Sequence, residues 1–199
     1  MNKIYTAVYL WQKRALYLAA TSQGICVVSF NKVEFESYLR AKGWIKQRSN
    51  PLIDRLVACL DNYFAGKRES FDLPLDCEGT AFQTAVWQAV RQIPYGTVQS
   101  YGEVAVRSGK PTALRAVGAA NGANPTPIIV PCHRVVCSDL RLGGYRGGVE
   151  LKRTLLELEG MVLDPSGERI LKNGASRLFS GRLDLADVDG YKTGRPASH

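Results

Sequence analysis

The chain has 199 residues, 45% hydrophobic and 22% charged, the composition of a globular protein with material for one large domain or two small ones. Its apolar runs fall short of the ~20 residues that span a bilayer, and Met1-Asn2-Lys3-Ile4-Tyr5 lacks the basic-then-apolar start of a secretory leader. Twenty-six basic against 18 acidic residues give a net charge of +8, which favours a polyanionic partner, and five scattered cysteines are expected to be reduced thiols in a cytoplasmic protein.

Three β-like segments open the chain, at residues 4–10, 15–20 and 25–30, separated by polar turns. A short helix over 34–42 is stopped by Gly43. A stronger one starts with Asn50 as N-cap and Pro51 at the first helical position. It carries Leu52, Ile53, Leu56, Val57, Leu60 and Phe64 on one face and closes at Gly66. Phe71, Leu73 and Leu75 alternate as a strand does. Strands followed by helices suggest a small α+β unit over residues 1–78.

A second unit, expected at 79–163, opens with a capping-box pattern in Thr80 and Gln83 and an apolar stripe of Phe82, Val86, Val90 and Ile93. Ser100 and Glu103 form a second capping box, starting a helix that ends before Gly109. After Lys110-Pro111-Thr112, residues 113–121 form another short helix. The pair reads either as a helix-turn-helix or as a helical hairpin that only packs a core. In the later helix Ala113, Ala116, Gly118, Ala119 and Ala120 are small, and Arg115 is the one long side chain. Such a face allows close approach to another helix or to a nucleic-acid groove. Residues 80–160 carry nine basic residues against five acidic. Residues 164–199, from their Gly, Ser, Asp and Lys content, are expected to form a partly flexible extension.

An apolar, proline-punctuated run, Asn124-Pro125-Thr126-Pro127-Ile128-Ile129-Val130-Pro131, ends at Cys132-His133-Arg134. Three prolines predict a rigid, extended segment unsuited to a central strand. Only a thiolate is nucleophilic, so a reactive Cys132 needs a proton acceptor, ideally an imidazole oriented by a carboxylate. Sequence neighbours in a strand point apart, so His133 would reach the sulfur through a bend or a bridging water. A buried structural thiol beside a core histidine is the alternative. Two histidines in all and no Cys-x-x-Cys pair make a poor metal site, and no metal is expected.

Three stretches carry a resemblance: Ile93-Pro94-Tyr95-Gly96-Thr97-Val98-Gln99-Ser100-Tyr101-Gly102, Arg115-Ala116-Val117-Gly118-Ala119-Ala120-Asn121, and Asn124 through Val135. With Gly143-Gly144-Tyr145-Arg146-Gly147-Gly148 and Leu155-Leu156-Glu157-Leu158-Glu159-Gly160, they resemble the O6-alkylguanine-DNA alkyltransferases over about Thr80 to Gly160.

The resemblance implies an α+β fold, with an N-terminal ribonuclease-H-like α/β domain before a helical, winged helix-turn-helix-like DNA-binding and active-site domain. It implies a monomer that binds double-stranded DNA carrying O6-alkylguanine through the minor groove, turns the base out, and keeps the alkyl group on Cys132 without any cofactor. By resemblance His133 activates the thiol, Glu159 orients His133, and Tyr101 assists the departing base. Asn124 fixes the turn before the active-site segment, and Val135, Tyr145 and Arg146 form the substrate pocket. Arg115 fills the gap left by the extruded base, with Thr112, Ala116 and Ala119 on the same DNA-facing surface. Arg146 stands where the family more often has a small or polar residue, and Cys137 where serine or glycine is usual. A non-catalytic alkylated-DNA binder, a helix-turn-helix regulator and a thiol hydrolase are the competing readings. The first lacks the reactive cysteine, the second needs more base-reading side chains, and the third requires turnover.

Overall fold

The computed structural model describes residues 3–48, 50–67 and 70–171. Strands β1 (Lys3–Trp11), β2 (Arg14–Ala20) and β3 (Ile25–Ser29) fall on the three β-like segments and form an antiparallel meander. Helix α1 (Lys32–Ala41) follows, capped by the Asn31 side chain. It leads to a short strand, β4 (Ile45–Arg48), which joins β1 in parallel and completes a sheet of order β3-β2-β1-β4. The edge strand β4 is too short and too polar to announce itself in the sequence. Helix α2 (Pro51–Phe64) starts as expected, with Asn50 Oδ1 accepting from Ile53 N and Pro51 in the first turn.

The two helices cover the two faces of the sheet. Leu16, Leu18, Val28 and Trp11 pack against Ile53, Leu56, Leu60 and Tyr63 of α2, while Ile4, Ala19 and Val27 pack with Phe35 and Leu39 of α1. Phe71 and Leu73 are buried as their alternation predicts, yet they form no strand. Their carbonyls accept from the Arg91 guanidinium, and only Leu75 makes a bridge, to Ile25. A side chain has taken the bonds that a ladder would use. Gly24 is required at that crossing, because a Cβ there would meet the Leu75 and Asp76 backbone at 2.7–2.8 Å.

The second half is helical. Helix α3 (Ala81–Arg91) begins with the full Thr80–Gln83 capping box. A two-residue strand β5 (Gln99–Ser100) leads into α4 (Tyr101–Arg107), which has the Ser100–Glu103 box, and then α5 (Leu114–Gly122). Val86, Val90, Val104, Val117 and Ala120 form a core shared by these three helices. The Trp87 indole donates to the Ala120 carbonyl at 2.8 Å and fixes α5 to α3. A 3-10 turn (Cys132–Arg134), a strand β6 (Val135–Val136) parallel to β5, and helix α6 (Val149–Leu158) complete the unit.

The halves are not separated by a loose linker. Ile128, Ile129, Leu151 and Leu155 belong to the same buried cluster as Leu56 and Leu60, and Val28 N donates to the Pro125 carbonyl at 2.9 Å. Residues 164–171, the start of the expected partly flexible extension, pack on the second unit. Leu163 bridges Ile170, Arg141 bridges Arg169, and Ile170 is buried with Val98, Val136, Leu142 and Met161. The rest of that expected extension, 172–199, lies outside the described residues.

Candidate active site

The segment before Cys132 is turned rather than extended. Asn124 Nδ2 donates to the Val130 carbonyl at 2.7 Å, and its Oδ1 accepts from Thr126 N at 3.0 Å. Val130 N in turn donates to the Thr126 carbonyl, and Ile128 takes a left-handed φ of 76° at the bend. The prolines fix φ as expected, but the Asn124 amide folds the run back on itself. A β-branched residue at positive φ is strained, and the surrounding bonds hold it there.

Cys132–Arg134 then winds as a 3-10 turn, so neighbouring side chains are about 120° apart and not opposed as in a strand. This bend directs Cys132 and His133 to different sides. The Cys132 sulfur faces a cavity of about 340 Å³, bounded by Tyr101, Gly118, Asn121 and Tyr145 from one unit and by Val28, Phe30 and Glu34 from the other. Asn121 Nδ2, at the end of α5, donates to the Cys132 carbonyl at 3.2 Å.

His133 points away from the cavity and is fully buried. Its Nε2 lies 2.7 Å from Glu159 Oε1, at the C-terminal end of α6. A carboxylate is unfavourable at a helix C-terminus, and here it is offset by donors on both oxygens. Arg134 Nε and Nη2 reach Glu159 at 2.9–3.2 Å, Gly96 N donates to Oε2 at 3.0 Å, and the Tyr63 hydroxyl donates to Oε1 at 2.8 Å. Burial alone would raise Glu159, but His133 and Arg134 hold it well below the usual carboxylate range. Burial pushes His133 down, against the pull of Glu159, so the imidazole is neutral near pH 7. An Nε2–H given to Glu159 leaves Nδ1 as the basic nitrogen, and Nδ1 has no hydrogen-bond partner among the described residues.

Burial also raises the Cys132 thiol, with Asn124, Lys152 and Tyr145 acting in the opposite direction. The resting sulfur is therefore a thiol that needs a base. Lys152 is wholly buried on α6 and donates to the carbonyls of Val135 and Leu142. Burial lowers it to about 8, opposed by the nearby Cys132 and Cys137 sulfurs. Tyr101 is raised by burial and by those same two sulfurs, so it stays protonated. Gly143, at φ 68°, leaves the space it occupies: a Cβ there would sit 3.3 Å from the Cys137 sulfur and 3.5 Å from the Tyr101 hydroxyl.

Most of the predicted site residues come together here. Cys132, His133, Glu159, Tyr101, Asn124 and Tyr145 surround the turn or the cavity, and Arg146 stands on the rim, where its Nη2 pairs with Glu34 Oε2 at 2.9 Å. Val135 is the exception. Strand β6 pairs it with Gln99 and buries it completely in the helical core, so it does not line the cavity. Thr112, Arg115, Ala116 and Ala119 are all exposed, while Val117 and Ala120 of the same helix are buried. Gly118 borders the cavity, and a Cβ there would meet only the Tyr101 ring, at 3.9 Å. Ala116 and Ala119 thus leave a surface open, while Ala120 packs into the core shared with α3 and α4. The sequence reading gave no role to Arg134, Lys152 or Tyr63. Lys152 did leave a signal, as a cation inside the apolar stripe of Leu151, Leu155 and Leu156.

Two family models match the chain. "6-O-methylguanine DNA methyltransferase, ribonuclease-like domain" covers residues 4–77, and "6-O-methylguanine DNA methyltransferase, DNA binding domain" covers 81–161. The methylated-DNA–protein-cysteine methyltransferase of Haemophilus influenzae is 42% identical over 160 residues, spanning 80% of this chain and 88% of its own. The inducible enzyme of that name from Bacillus subtilis is 38% identical over 161 residues, 78% of this chain and 90% of its own. Among solved structures, the O6-methylguanine methyltransferase of Mycobacterium tuberculosis superposes with a TM-score of 0.69 at 36% identity, covering 94% of this chain and 99% of that one. A structure of the M. tuberculosis protein in complex with DNA gives 0.67 at 37% identity, covering 78% and 93%.

Proposed function

This chain belongs to the methylated-DNA–protein-cysteine methyltransferase family, which repairs DNA by alkyl transfer, and on that premise we propose how its residues divide the work. Cys132 is the acceptor. Its sulfur attacks the O6-alkyl carbon of a guanine turned out of the duplex into the cavity, a C–S bond forms, and the C–O6 bond breaks with guanine as leaving group. The thiol proton passes to His133 Nδ1, through a water if the gap requires one, and Glu159 stabilises the imidazolium. Tyr101 donates its phenolic hydrogen bond to the departing base, where negative charge develops. The thioether product has no neighbour able to cleave it, so each molecule acts once.

One observation carries this reading. Cys132 opens on a cavity while the histidine behind it is anchored by a buried carboxylate at 2.7 Å, with Nδ1 left to act as base. Neither the structural-thiol alternative nor a purely DNA-binding role calls for that arrangement.

DNA is the partner, engaged through the outer face of α5. The shallow small-residue surface of Ala116 and Ala119 suits the minor groove, and the exposed Arg115 takes the place of the extruded base. Tyr145 and Arg146 shape the pocket, and the protein works as a monomer, with residues 1–78 as scaffold and 79–163 as the catalytic and DNA-binding unit. Among the described residues no helix is long and apolar enough to cross a membrane. The test is transfer from an O6-methylguanine duplex. Cys132→Ala abolishes it while DNA affinity stays within about twofold, less than the ~1 kcal/mol that would mark a lost contact. Transfer at the wild-type rate by this variant would refute the assignment.

A further inference from the structure

The Glu159 cluster is not built by the C-terminal unit alone. Tyr63 comes from the last turn of α2, 96 residues before Glu159, and is completely buried. Its ring is held by Phe64, Phe71 and Tyr95, with centroids at 5.2, 5.8 and 5.9 Å. The hydroxyl lies 2.8 Å from Glu159 Oε1 and 3.4 Å from His133 Nε2. We infer that Tyr63 is a positioning residue for alkyl transfer, whose hydroxyl holds Glu159 Oε1 and limits how strongly that carboxylate supports His133.

Glu159 Oε1 is a shared acceptor. Oε1 accepts from Tyr63, from His133 and from Arg134 Nε and Nη2, more donors than one carboxylate oxygen serves well. Each donor draws charge from the others' bonds. Burial raises Tyr63 well above the usual phenol range, so it stays protonated and acts as a donor. The other charged or titratable groups facing this cluster are Arg134 on the 3-10 turn, Lys152 on α6, and Tyr95 and Tyr145 from the flanking loops. Among the described residues Glu159 is the only anion of the cluster. Removing the hydroxyl leaves Glu159 still bound by Arg134 and Gly96, but with more of its charge directed at His133. The imidazolium is then favoured, and the base stays protonated to a higher pH.

This inference rests on the Cys132–His133–Glu159 relay, and the test separates the two. Because each molecule reacts once, the endpoint of transfer counts active protein, and the single-turnover rate reports the chemistry independently. Tyr63→Phe keeps the ring packing. With an O6-methylguanine duplex, from roughly pH 4.5 to 8.5, it should reach the wild-type endpoint. The acid limb of its rate profile should move up by about half a unit to one unit, a threefold to tenfold slower reaction on that limb and a smaller change above it. A limb that stays in place or moves down, or a rate reduced by one common factor at every pH, overturns the inference. Glu159→Gln is run in parallel. If its profile moves and that of Tyr63→Phe does not, only the role of Tyr63 falls; if neither moves, the relay falls with it.

Discussion

The two sides of the Cys132–Arg134 turn are built on opposite plans. Behind it, His133, Arg134, Glu159 and Tyr63 are buried and bonded to one another at 2.7–3.4 Å. In front of it, a cavity and the outer face of α5 present Gly118, Ala116, Ala119 and Arg115. The rear stores orientation before any substrate arrives, since dipoles fixed in a dry site cost no reorganisation during reaction. The front stores space, which in the proposed function DNA fills. A buried charged network is weak evidence for stability in itself. Its position directly behind Cys132, the proposed nucleophile, is what makes it informative.

Breaking the rear should have the larger effect. Glu159→Gln leaves Arg134 buried without its counter-charge, at a cost of about 3–5 kcal/mol of stability. It also removes the group that orients His133, so transfer should slow by about 10²–10⁴. The pH dependence of unfolding gives a second check. Burial disfavours charged His133, so wild-type stability begins to fall as pH drops below about 6.5. Glu159 is held below its ordinary range, so a further loss follows below about pH 4.3, as the unfolded carboxyl protonates first. Denaturant unfolding of Glu159→Gln should lack this second loss. An identical pH dependence in both proteins would mean that the pair contributes nothing.

At the front, Arg115→Ala should slow repair of an O6-methylguanine duplex by roughly tenfold to a hundredfold, the few kcal/mol that extruding a base costs. Transfer from free O6-benzylguanine should change by less than about twofold, since no base needs extruding. Equal losses on both substrates would remove Arg115 from that role. The smallest effect is expected at the rim. The Glu34–Arg146 pair is about half exposed on both sides, and such pairs contribute under about 1 kcal/mol. Glu34→Gln should therefore shift the unfolding midpoint only slightly, and a double-mutant cycle with Arg146→Gln should give a coupling below that figure. A larger coupling would show that the rim is as tightly built as the rear.

Local rules wrote much of this molecule legibly. Asn50-Pro51, Thr80–Gln83 and Ser100–Glu103 each start a helix, because a capping side chain acts within its own turn. Cys132, His133 and Glu159 were legible through ordered motifs. What stayed hidden depended on distant partners. The bend at 124–131 needs the Asn124 amide to reach Val130, and the alternating Phe71 and Leu73 lose their ladder to Arg91. Val135 follows the site in sequence but turns into the core with β6. Tyr63 reads as one more apolar position on α2, and only the packing of two units places its hydroxyl on Glu159.

The most direct measurement is the intact mass of the protein after incubation with an O6-methylguanine oligonucleotide, followed by peptide mapping. The account predicts one added methyl group per molecule, about 14 Da, carried on the Cys132 sulfur, and no further gain with excess substrate. An unchanged mass, a second methyl, or a methyl mapped to Cys137 or any other residue would contradict it.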